Sequence, residues 1–488
     1  MLRIYDTRQG KKVELVLLHP GKVGIYVCGV TVYDLCHVGH ARTLVAFDVI
    51  VRHLRARGLE VRLVRNITDV DDKIIRKANA EGRSAAEVAR YYADAMAADM
   101  AALGIEPPDV EPRATEHIAE MIEVIKRLEA RGLAYPAEGD VYYSVAGFPG
   151  YGALSGQSID DLQAGARIEV GEHKRSPLDF ALWKGAKPGE PSWASPWGPG
   201  RPGWHIECSA MAHRYLGPSF DIHGGGSDLI FPHHENEIAQ SEGAFGSFAR
   251  YWMHSGMVNF GGVKMSKSLG NVVTIRRVAE THDLEALRLL LISVHYRSPA
   301  SFTIAEIGDG QAAYPDLDEA EARLDYFYRT LERLDGFLAA AKTTAAPPPS
   351  ELATNVSAAM DDDFNTAAAI GHLYDAFVLA NKLLDDPKAM PKSERLKALA
   401  AIARDARAVG ATLGIMRRPP AEFLLARRGR LCVRRRLDAA AVEARIAERA
   451  AARQAKAFTR ADEIRAELKA SGVELMDTPT GTTWRVAG

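Results

Sequence analysis

The chain has 488 residues, 47% of them hydrophobic, and its 61 Lys and Arg residues nearly balance its 63 Asp and Glu residues. This length excludes a small scaffold stapled by disulfides and predicts roughly two to four domains with a sizeable core. No stretch approaches the roughly 18 consecutive apolar residues of a membrane span, and the N-terminal residues lack the apolar segment of a secretory signal, so we expect a cytoplasmic protein without a membrane partner.

Elements of an α/β fold follow one another from the N-terminal region onward. The apolar run GIYVC over 24–28 predicts a buried strand, a helix is expected over about 41–57, and a second strand over 61–67. Strand, helix and strand in this order predict a right-handed βαβ unit and therefore a parallel, doubly wound sheet. Further helices are predicted over about 84–104 and 114–131.

A segment rich in Gly, Pro and aromatic residues interrupts this pattern from about 135 to 203. We expect short strands and loops there, within a connective insertion over about 105–205 that separates two halves of one fold. The α/β pattern then returns, and after Arg297 the sequence becomes helical over about 304–342. The segment TTAAPPPS (343–350) predicts a linker, because proline lacks an amide donor and keeps the backbone extended.

Three domains follow from this organisation. We expect an α/β domain over 1–300, a helical domain over 301–416 and a small basic domain over 417–488. The last region carries 16 Lys and Arg against 9 Asp and Glu, although the net charge of the whole chain is −2. This excess indicates a polyanion bound at the C-terminal end, while a solvated helical face explains it equally well.

The stretch FPHHENE (231–237) contains a possible pair of metal ligands. Pro232 suits the first position of a helix, which would place His233 and Glu237 four residues apart on one face, with His234 pointing elsewhere. Histidine and glutamate supply two of the four ligands that zinc prefers, and thiolates would supply the other two. The alternative is a surface contact between the two side chains.

The four cysteines, Cys28, Cys36, Cys208 and Cys432, are too few and too scattered for a disulfide framework, which indicates a reducing compartment. Cys208 is close enough in sequence to share the site of the possible metal ligands. Cys28 is favoured over Cys36 for the last position, because ligands gather at the carboxyl ends of strands in an open α/β sheet. The alternative for Cys208 is a small buried apolar residue.

The motif HVGH (37–40) lies at the start of the first long helix. A helix N-terminus attracts anions through its unpaired amide groups, and Gly39 lets a phosphate-bearing ligand approach the backbone. The imidazoles of His37 and His40 can donate hydrogen bonds to a phosphate whose charge grows in the transition state. The alternative is that both histidines only cap the helix.

Two further glycine-containing segments suit a nucleotide. The loop GGVKMSKSLGN (261–271) carries Lys264 and Lys267, which could close on a polyphosphate and neutralise the leaving group. In HGGGSD (223–228), the glycines allow a flat base to stack on the backbone, and Asp228 could bind a ribose hydroxyl. The alternatives are a solvated basic loop and an ordinary glycine-rich turn.

The ordered combination of HVGH, GGGSD and KMSKS resembles the class I aminoacyl-tRNA synthetases. Within that class the chain is similar to the cysteinyl-tRNA synthetase family, in motifs such as YVCGVTVYDLCHVGHAR, VRNITDVDDKI, FDIHGGGSDLIFPHHENEIAQSE and KMSKSLGN. The resemblance implies a Rossmann-type catalytic domain that activates cysteine with ATP and transfers it to cysteine tRNA. A mycothiol-pathway ligase, which joins cysteine to an amino sugar, is the alternative, but it has no use for the long extension after about residue 310.

The resemblance also implies roles for individual residues. One zinc ion per chain would be bound by Cys28, Cys208, His233 and Glu237. The cysteine pocket would contain Gly29, Thr31, Thr68 and Trp204. ATP, used with magnesium, would contact His37, Gly39, His40, Gly225, Asp228 and Lys267. The catalytic residues would be His37, His40, Lys264 and Lys267.

The C-terminal region would read the anticodon, and a monomer is expected. The implied anticodon residues are Arg453, Phe458, Asp462 and Asp477. Phe458 stands where the family often has tryptophan, but an aromatic ring can still stack on a base. The stretch RRGRLCVRRR (427–436) is unlike the family, and its contact with tRNA stays an open question, as does the role of Cys36.

Overall fold

The computed structural model contains a parallel sheet, a helical region and a small C-terminal unit. It describes residues 1–158, 173–261, 263–264, 272–307, 311–341, 348–478 and 481–486. In this part of the chain the strands are β1 (Arg3–Asp6), β2 (Lys11–Glu14), β3 (Lys22–Val27), β4 (Glu60–Arg65), β5 (Ala134–Ala137), β6 (Asp140–Tyr143), β7 (Phe180–Gly185), β8 (Gly200–Pro202), β9 (Phe220–Gly226), β10 (Ala249–Ser255), β11 (Val258–Phe260), β12 (Val263–Lys264), β13 (Ala300–Phe302), β14 (Ala305–Ile307), β15 (Gln311–Ala313), β16 (Val473–Thr478) and β17 (Gly481–Val486). The α-helices are α1 (Val38–Ala56), α2 (Asp72–Glu81), α3 (Ala85–Ala102), α4 (Ile118–Ala130), α5 (Trp204–Leu216), α6 (Glu235–Phe245), α7 (Ile275–Ala279), α8 (Leu284–Ile292), α9 (Pro315–Ala341), α10 (Glu351–Asp361), α11 (Thr366–Asp385), α12 (Lys392–Leu413), α13 (Pro420–Arg435), α14 (Ala439–Gln454) and α15 (Phe458–Ala470).

Four parallel strands form the central sheet in the order β10-β9-β3-β4. β3 pairs with β4 along its whole length and with β9 from Ile25 to Val27. Every residue of β9 is buried, as expected for a strand covered on both faces. Since α1 connects β3 with β4 and packs against the sheet, the predicted parallel α/β fold is confirmed.

Two predicted helix starts are wrong. α1 begins at Val38 instead of 41, because His37 already caps it. α9 begins at Pro315 instead of near 304, because β13, β14 and β15 precede it. Proline suits this position, since the first amide of a helix has no partner to lose.

An antiparallel sheet, in the order β5-β6-β7-β8, lies between α4 and α5 in the chain. It shares a hydrophobic core with α4, α5 and α6, in which Tyr143 and Trp183 are fully buried. Cys28 and Cys208 belong to the same core. The insertion therefore builds one wall around the region where the candidate ligands lie.

The helical region α9–α12 continues the core of the parallel sheet. Apolar side chains from Ile25 in β3 to Phe377 in α11 form one cluster, while α14, α15, β16 and β17 surround a separate core with Trp484. In the described residues, no helix combines the length and the apolar character that membrane crossing requires. The sheet and the helical region are thus one packed body, to which a smaller C-terminal unit is attached.

Candidate active site

Four buried side chains from distant parts of the chain converge beside the parallel sheet. Cys28 follows β3, Cys208 lies in α5, His233 precedes α6, and Glu237 lies in its first turn. One ligand atom of each lies within 4.8 Å of the others. Glu237 Oε1 is 3.0 Å from His233 Nε2 and 3.2 Å from Cys28 Sγ. The structure therefore brings together the four residues that the sequence indicated as zinc ligands.

The local geometry before α6 differs from the prediction. The regular helix begins at Glu235 instead of Pro232, and Phe231 has extended backbone angles (φ −136°, ψ 134°). His233 and Glu237 are nevertheless neighbours, because the turn that carries His233 leads directly into the helix. Their spacing of four residues thus predicted the contact correctly, although the helix starts later.

Sequence reasoning missed a second set of possible ligands in the same place. It consists of Cys28, His223, His234 and Glu237. His223 Nε2 lies 3.4 Å from Cys28 Sγ and 3.4 Å from Glu237 Oε2. The expectation that His234 points elsewhere is wrong, since its Nε2 lies 4.0 Å from Glu237 Oε1. The placement of His223 in a buried strand, directly before the glycines of HGGGSD, was the available signal.

The set with two sulfurs suits zinc better. Two thiolates, one imidazole and one carboxylate match the ligands and the number that zinc prefers. His205 Nδ1 lies 2.9 Å from His233 Nδ1 and can orient that ring with Nε2 toward the cluster. Glu237 Oε2 is buried without a hydrogen-bond partner in the described part of the chain. The donors present therefore fit a zinc ion.

Burial and neighbouring charges shift the pKa values of these groups in different directions. For Cys208, burial raises the pKa, but hydrogen bonds with Cys28 and His233 outweigh it and lower the pKa to about 6. For His233, burial lowers the pKa, while the Glu237 carboxylate raises it to about 10. For Glu237, burial raises the pKa, but the imidazoles of His223 and His233 hold it well below its usual range. The lowered pKa values of Cys208 and Glu237 favour the deprotonated forms that bind a metal, whereas His233 and Cys28, whose pKa values are raised, would each release a proton on binding.

The two histidines of HVGH cap α1 reciprocally. His37 Nδ1 accepts a hydrogen bond from the His40 amide at 3.3 Å, and His40 Nδ1 accepts one from the His37 amide at 3.3 Å. The rings stack with centroids 3.6 Å apart. Because each Nδ1 is an acceptor, the proton of each neutral ring lies on Nε2, which is a donor. The capping role is therefore real, and it leaves the rings able to donate to a phosphate.

A cavity of about 340 Å³ extends from Cys28, in the candidate ligand cluster, to the start of α1. Its volume lies in the range of small-ligand sites. The predicted residues that line it are Cys28, Gly29, Thr31, His37, Gly39, His40, Trp204 and Asp228. The ring of Trp204 also stacks on His233, with centroids 4.2 Å apart. One cavity thus contacts Cys28 of the candidate ligand cluster and also the helix N-terminus.

Thr68 and Gly225 are not among the described residues that line this cavity. Thr68 is buried behind its wall, where its hydroxyl donates to Glu207 Oε2 at 2.9 Å. Gly226 lines the cavity next to Gly225, and a Cβ on Gly226 would lie 2.4 Å from Asp228 Oδ1. The absence of a side chain there allows the carboxylate to lie against the backbone.

Two residues of the motif NITDVDDK contribute to the site, although sequence reasoning gave them no role. Asn66 Oδ1 accepts a hydrogen bond from the Gly29 amide at 2.8 Å, and Asn66 Nδ2 donates to Thr68 Oγ1 at 3.2 Å. Lys73 lines the cavity, with its ammonium 5.4 Å from the centre of the Tyr33 ring. The position of this motif directly after β4 was the signal that could have indicated them.

The lysine segment 261–271 is only partly described. The backbone of Lys264 ends β12, but its side chain lies outside the described residues, and so does all of Lys267. Just beyond this segment, the carbonyl of Val273 accepts a hydrogen bond from the Val38 amide at 3.0 Å. The chain that leaves the lysine segment is therefore attached to the first turn of α1.

The implied anticodon residues lie in the small C-terminal unit. Asp477 in β16 forms two contacts of 2.9 Å with Arg449, and Arg453 lies 3.3 Å from the same carboxylate. The side chain of Phe458 is 59% exposed at the start of α15, and Asp462 is exposed on the same helix. Sequence reasoning missed Arg449, which is buried and holds Asp477 in place.

Comparison with known protein families decides the identity of this site. Residues 14–312 match the family described as tRNA synthetases class I (C) catalytic domain, residues 355–417 the DALR domain, and residues 438–485 the cysteinyl-tRNA ligase anticodon binding domain. A cysteine–tRNA ligase of Anaeromyxobacter dehalogenans strain 2CP-1 is 55% identical over 99% of both chains. The chain belongs to the cysteine–tRNA ligase family. Another cysteine–tRNA ligase, from Geobacter sulfurreducens, is 52% identical over 99% of both chains.

Solved structures show the same fold at low sequence identity. Methionyl-tRNA synthetase of Mycobacterium tuberculosis with methionyl-adenylate is 16% identical, has a TM-score of 0.56, and aligns over 83% of this chain and 93% of its own. A putative arginyl-tRNA synthetase of Campylobacter jejuni is 13% identical, with a TM-score of 0.54 and coverages of 81% and 94%. This cysteine–tRNA ligase family member therefore has the class I synthetase fold.

Proposed function

We propose that the chain activates L-cysteine with ATP and then transfers it to the 3′ end of cysteine tRNA. One observation supports this most strongly: a single cavity is lined both by Cys28, a member of the buried Cys, His and Glu cluster, and by the N-terminus of α1. The cluster suits a thiol and the helix N-terminus a phosphate. Full-length similarity to cysteine–tRNA ligases supports the same reaction.

Activation needs no nucleophile from the protein. A carboxylate oxygen of cysteine attacks the α-phosphorus of ATP, and the bond to the bridging oxygen breaks as pyrophosphate leaves. Positioning and charge stabilisation provide most of the catalysis in phosphoryl transfer. We assign donation to the α-phosphate to His37 and His40, which line the cavity at the helix N-terminus, and neutralisation of pyrophosphate to Lys264 and Lys267.

Rejection of serine is the main selectivity problem, since the two amino acids differ by one atom. A pocket that relies on shape would separate them by only about 1–3 kcal/mol. We propose that Cys28, Cys208, His233 and Glu237 bind zinc. When bound, such an ion is a borderline-soft Lewis acid that prefers a thiolate to a hydroxyl. Gly29, Thr31 and Trp204 line the cavity and would then hold the rest of the amino acid, while Thr68, which does not line it, would support them from behind.

The nucleotide and the tRNA require further contacts. Asp228 lies beside Gly226 at the cavity, where its carboxylate can accept hydrogen bonds from ribose hydroxyls. In the second step, a hydroxyl of the terminal ribose attacks the adenylate carbonyl and AMP leaves. The C-terminal unit would select the tRNA by its anticodon, through Arg453, Phe458, Asp462 and Asp477.

The alternative, a ligase that joins cysteine to an amino sugar, is not favoured. A small acceptor gives no physical reason for the helices after Pro315 or for a match to an anticodon binding domain over residues 438–485. Because tRNA acylation serves translation, we propose that the protein acts in the cytoplasm, as a monomer.

Two assays test the reaction and the acceptor separately. Cysteine-dependent exchange of pyrophosphate into ATP measures activation, and labelled cysteine measures acylation of a cysteine tRNA transcript. We expect both activities, with no effect of an added amino sugar. Exchange without tRNA acylation, combined with transfer to the sugar, would establish the alternative.

A further inference from the structure

The arginine-rich run in α13 (Pro420–Arg435) is divided between two faces of the helix. Three of its members follow a spacing of three and four residues and therefore share one face. They are Arg427, Arg430 and Arg434. Arg435 is exposed and lies away from this row, and Arg428 lies over the ring of Trp484 with its guanidinium 4.6 Å from the ring centre.

A row of acidic residues on α9 (Pro315–Ala341) has the same spacing and receives the three arginines. The row consists of Asp318, Glu321 and Asp325. Arg427 Nη1 lies 3.1 Å from Asp325 Oδ1. Arg434 Nη1 lies 2.5 Å from Asp318 Oδ1 and its Nη2 lies 2.7 Å from Glu321 Oε2. We call the three arginines and three acids the arginine ladder; its two helices run antiparallel.

The centre of the ladder is buried. The side chain of Glu321 has no exposed surface, and its two oxygens accept from two different arginines: Oε1 from Arg430 at 3.3 Å and Oε2 from Arg434 at 2.7 Å. A buried carboxylate is strongly destabilising when it loses its partners. A phosphate could therefore attract these guanidinium groups only by leaving the Glu321 carboxylate without a cation, with the Asp283 amide at 3.3 Å as its remaining donor, and this opposes their use as tRNA contacts.

The ladder also reaches the body that carries the active site. Arg430 Nη2 and Arg418 Nη2 each lie 2.7 Å from Asp283 Oδ2. Asp283 caps α8 (Leu284–Ile292), where its side chain accepts from the Glu285 amide at 3.0 Å. Removal of Arg430 would thus loosen the ladder from α8, while Asp283 keeps Arg418 as a partner and still caps the helix.

α8 continues this connection to the helix at the active site. Arg288 is fully buried, pairs with Asp48 of α1, and donates from Nε to the carbonyl of Leu413 at 2.8 Å. α1 is the helix that begins with the HVGH motif. An unbroken series of packed contacts therefore runs from α13, which leads into the C-terminal unit, to the helix that borders the reaction cavity.

We propose that Arg427, Arg430 and Arg434 are positioning residues for the transfer of cysteine to tRNA. They hold the anticodon-binding unit that follows α13 at a fixed place relative to the active site, and they do not bind tRNA phosphates. Binding energy at one end of a long substrate assists reaction at the other end only if the two sites are held at a matching separation. This inference rests on the proposed function.

The test compares three variants in two reactions. Arg430→Gln/Arg434→Gln weakens the ladder by removing two cations, Glu321→Gln weakens it without removing a cation, and Arg435→Gln removes an exposed cation outside it. Cysteine-dependent ATP–pyrophosphate exchange, which needs no tRNA, should stay at the wild-type rate in all three. Aminoacylation is then measured with a cognate cysteine tRNA transcript and with one that carries a substituted anticodon.

We expect both ladder variants to lower kcat/KM for the cognate transcript roughly tenfold and to lose most of the discrimination against the substituted anticodon. The control variant should retain both. The salt dependence of tRNA affinity should be unchanged by Glu321→Gln. Because this variant keeps every arginine, its loss of discrimination cannot come from the removal of a cation that binds a phosphate.

Two results would overturn the proposal. In the first, the double arginine variant weakens the binding of both transcripts equally and lowers the slope of log affinity against log salt by about one for each phosphate that is no longer neutralised. In the same result, Glu321→Gln leaves the tRNA affinity unchanged or improves it. In the second, neither ladder variant alters discrimination. Failure of the proposed function itself would look different, because the wild-type chain would then fail to acylate the cognate transcript.

Discussion

Replacement of Gly29 by alanine should damage the cysteine pocket. A Cβ on Gly29 would lie 1.6 Å from the backbone oxygen of Asn66, whereas ordinary contact begins at 3.4 Å. The loops that follow β3 and β4 would have to separate by roughly 1–2 Å, because a close-packed interior has no space to absorb this overlap. The 2.8 Å hydrogen bond from the Gly29 amide to Asn66 Oδ1 would then be stretched or broken.

A displacement of about 1 Å near the reacting atoms costs roughly 100-fold in rate, or about 2.7 kcal/mol of transition-state stabilisation. We therefore expect kcat/KM for cysteine in ATP–pyrophosphate exchange to fall about 100-fold in Gly29→Ala, with a smaller effect on KM for ATP. Gly371→Ala is the matched control, because its Cβ would meet no atom within 4 Å and alanine favours its helix. Wild-type exchange kinetics in Gly29→Ala would refute this account of the pocket.

Three further predictions concern other parts of the chain. Cys208→Ser and His233→Ala should each lose bound zinc, measured by a chromogenic chelator, together with cysteine activation; normal exchange in a zinc-free variant would exclude the ligand assignment. Phe458→Ala should weaken cysteine tRNA binding by about 1–3 kcal/mol through the loss of stacking and leave exchange unaffected; an unchanged KM for tRNA would argue against stacking. Burial is the main cause that lowers the pKa of His53, so the unfolded state takes up a proton first as pH falls below about 6.5. Stability should therefore decrease from pH 7 to 5 less steeply in His53→Gln than in the wild type, as measured by urea unfolding, and equal slopes would contradict this.

Much of the architecture could be predicted, because apolar runs and helix-start motifs a few residues long indicate individual strands and helices. The apolar run before Cys28 and the helix after HVGH indicated the parallel sheet, and the fold agrees. The helix expected from about 304 was wrong at its start, because β13 to β15 pair there through contacts that helical periodicity does not report. Pro315 is the local signal for the true start, since proline suits the first position of a helix.

The arginine-rich run shows where charge counting fails. The net excess of Lys and Arg over 417–488 indicated a polyanion, and the run itself was the strongest part of that signal. The structure pairs Arg427, Arg430 and Arg434 with carboxylates of α9, more than 100 positions earlier in the chain. Composition gives the number of charges in a segment. The charge that the segment can offer to a polyanion depends on which acidic residues from distant parts of the chain the fold places beside it.

The candidate site also has some properties that the sequence indicates and others that depend on tertiary contacts. The sequence by itself determined which residue types could bind a metal and cap the first helix, because those properties follow from side-chain chemistry and from spacings of three or four residues. The tertiary structure brings Cys28 to Glu237, 209 positions away, as the sequence indicated, and it alone decided that His223 and His234 join the same cluster and that Thr68 does not line the cavity. Such contacts depend on how strands and helices pack. The number of residues between two positions in the sequence contains no information about their distance in space.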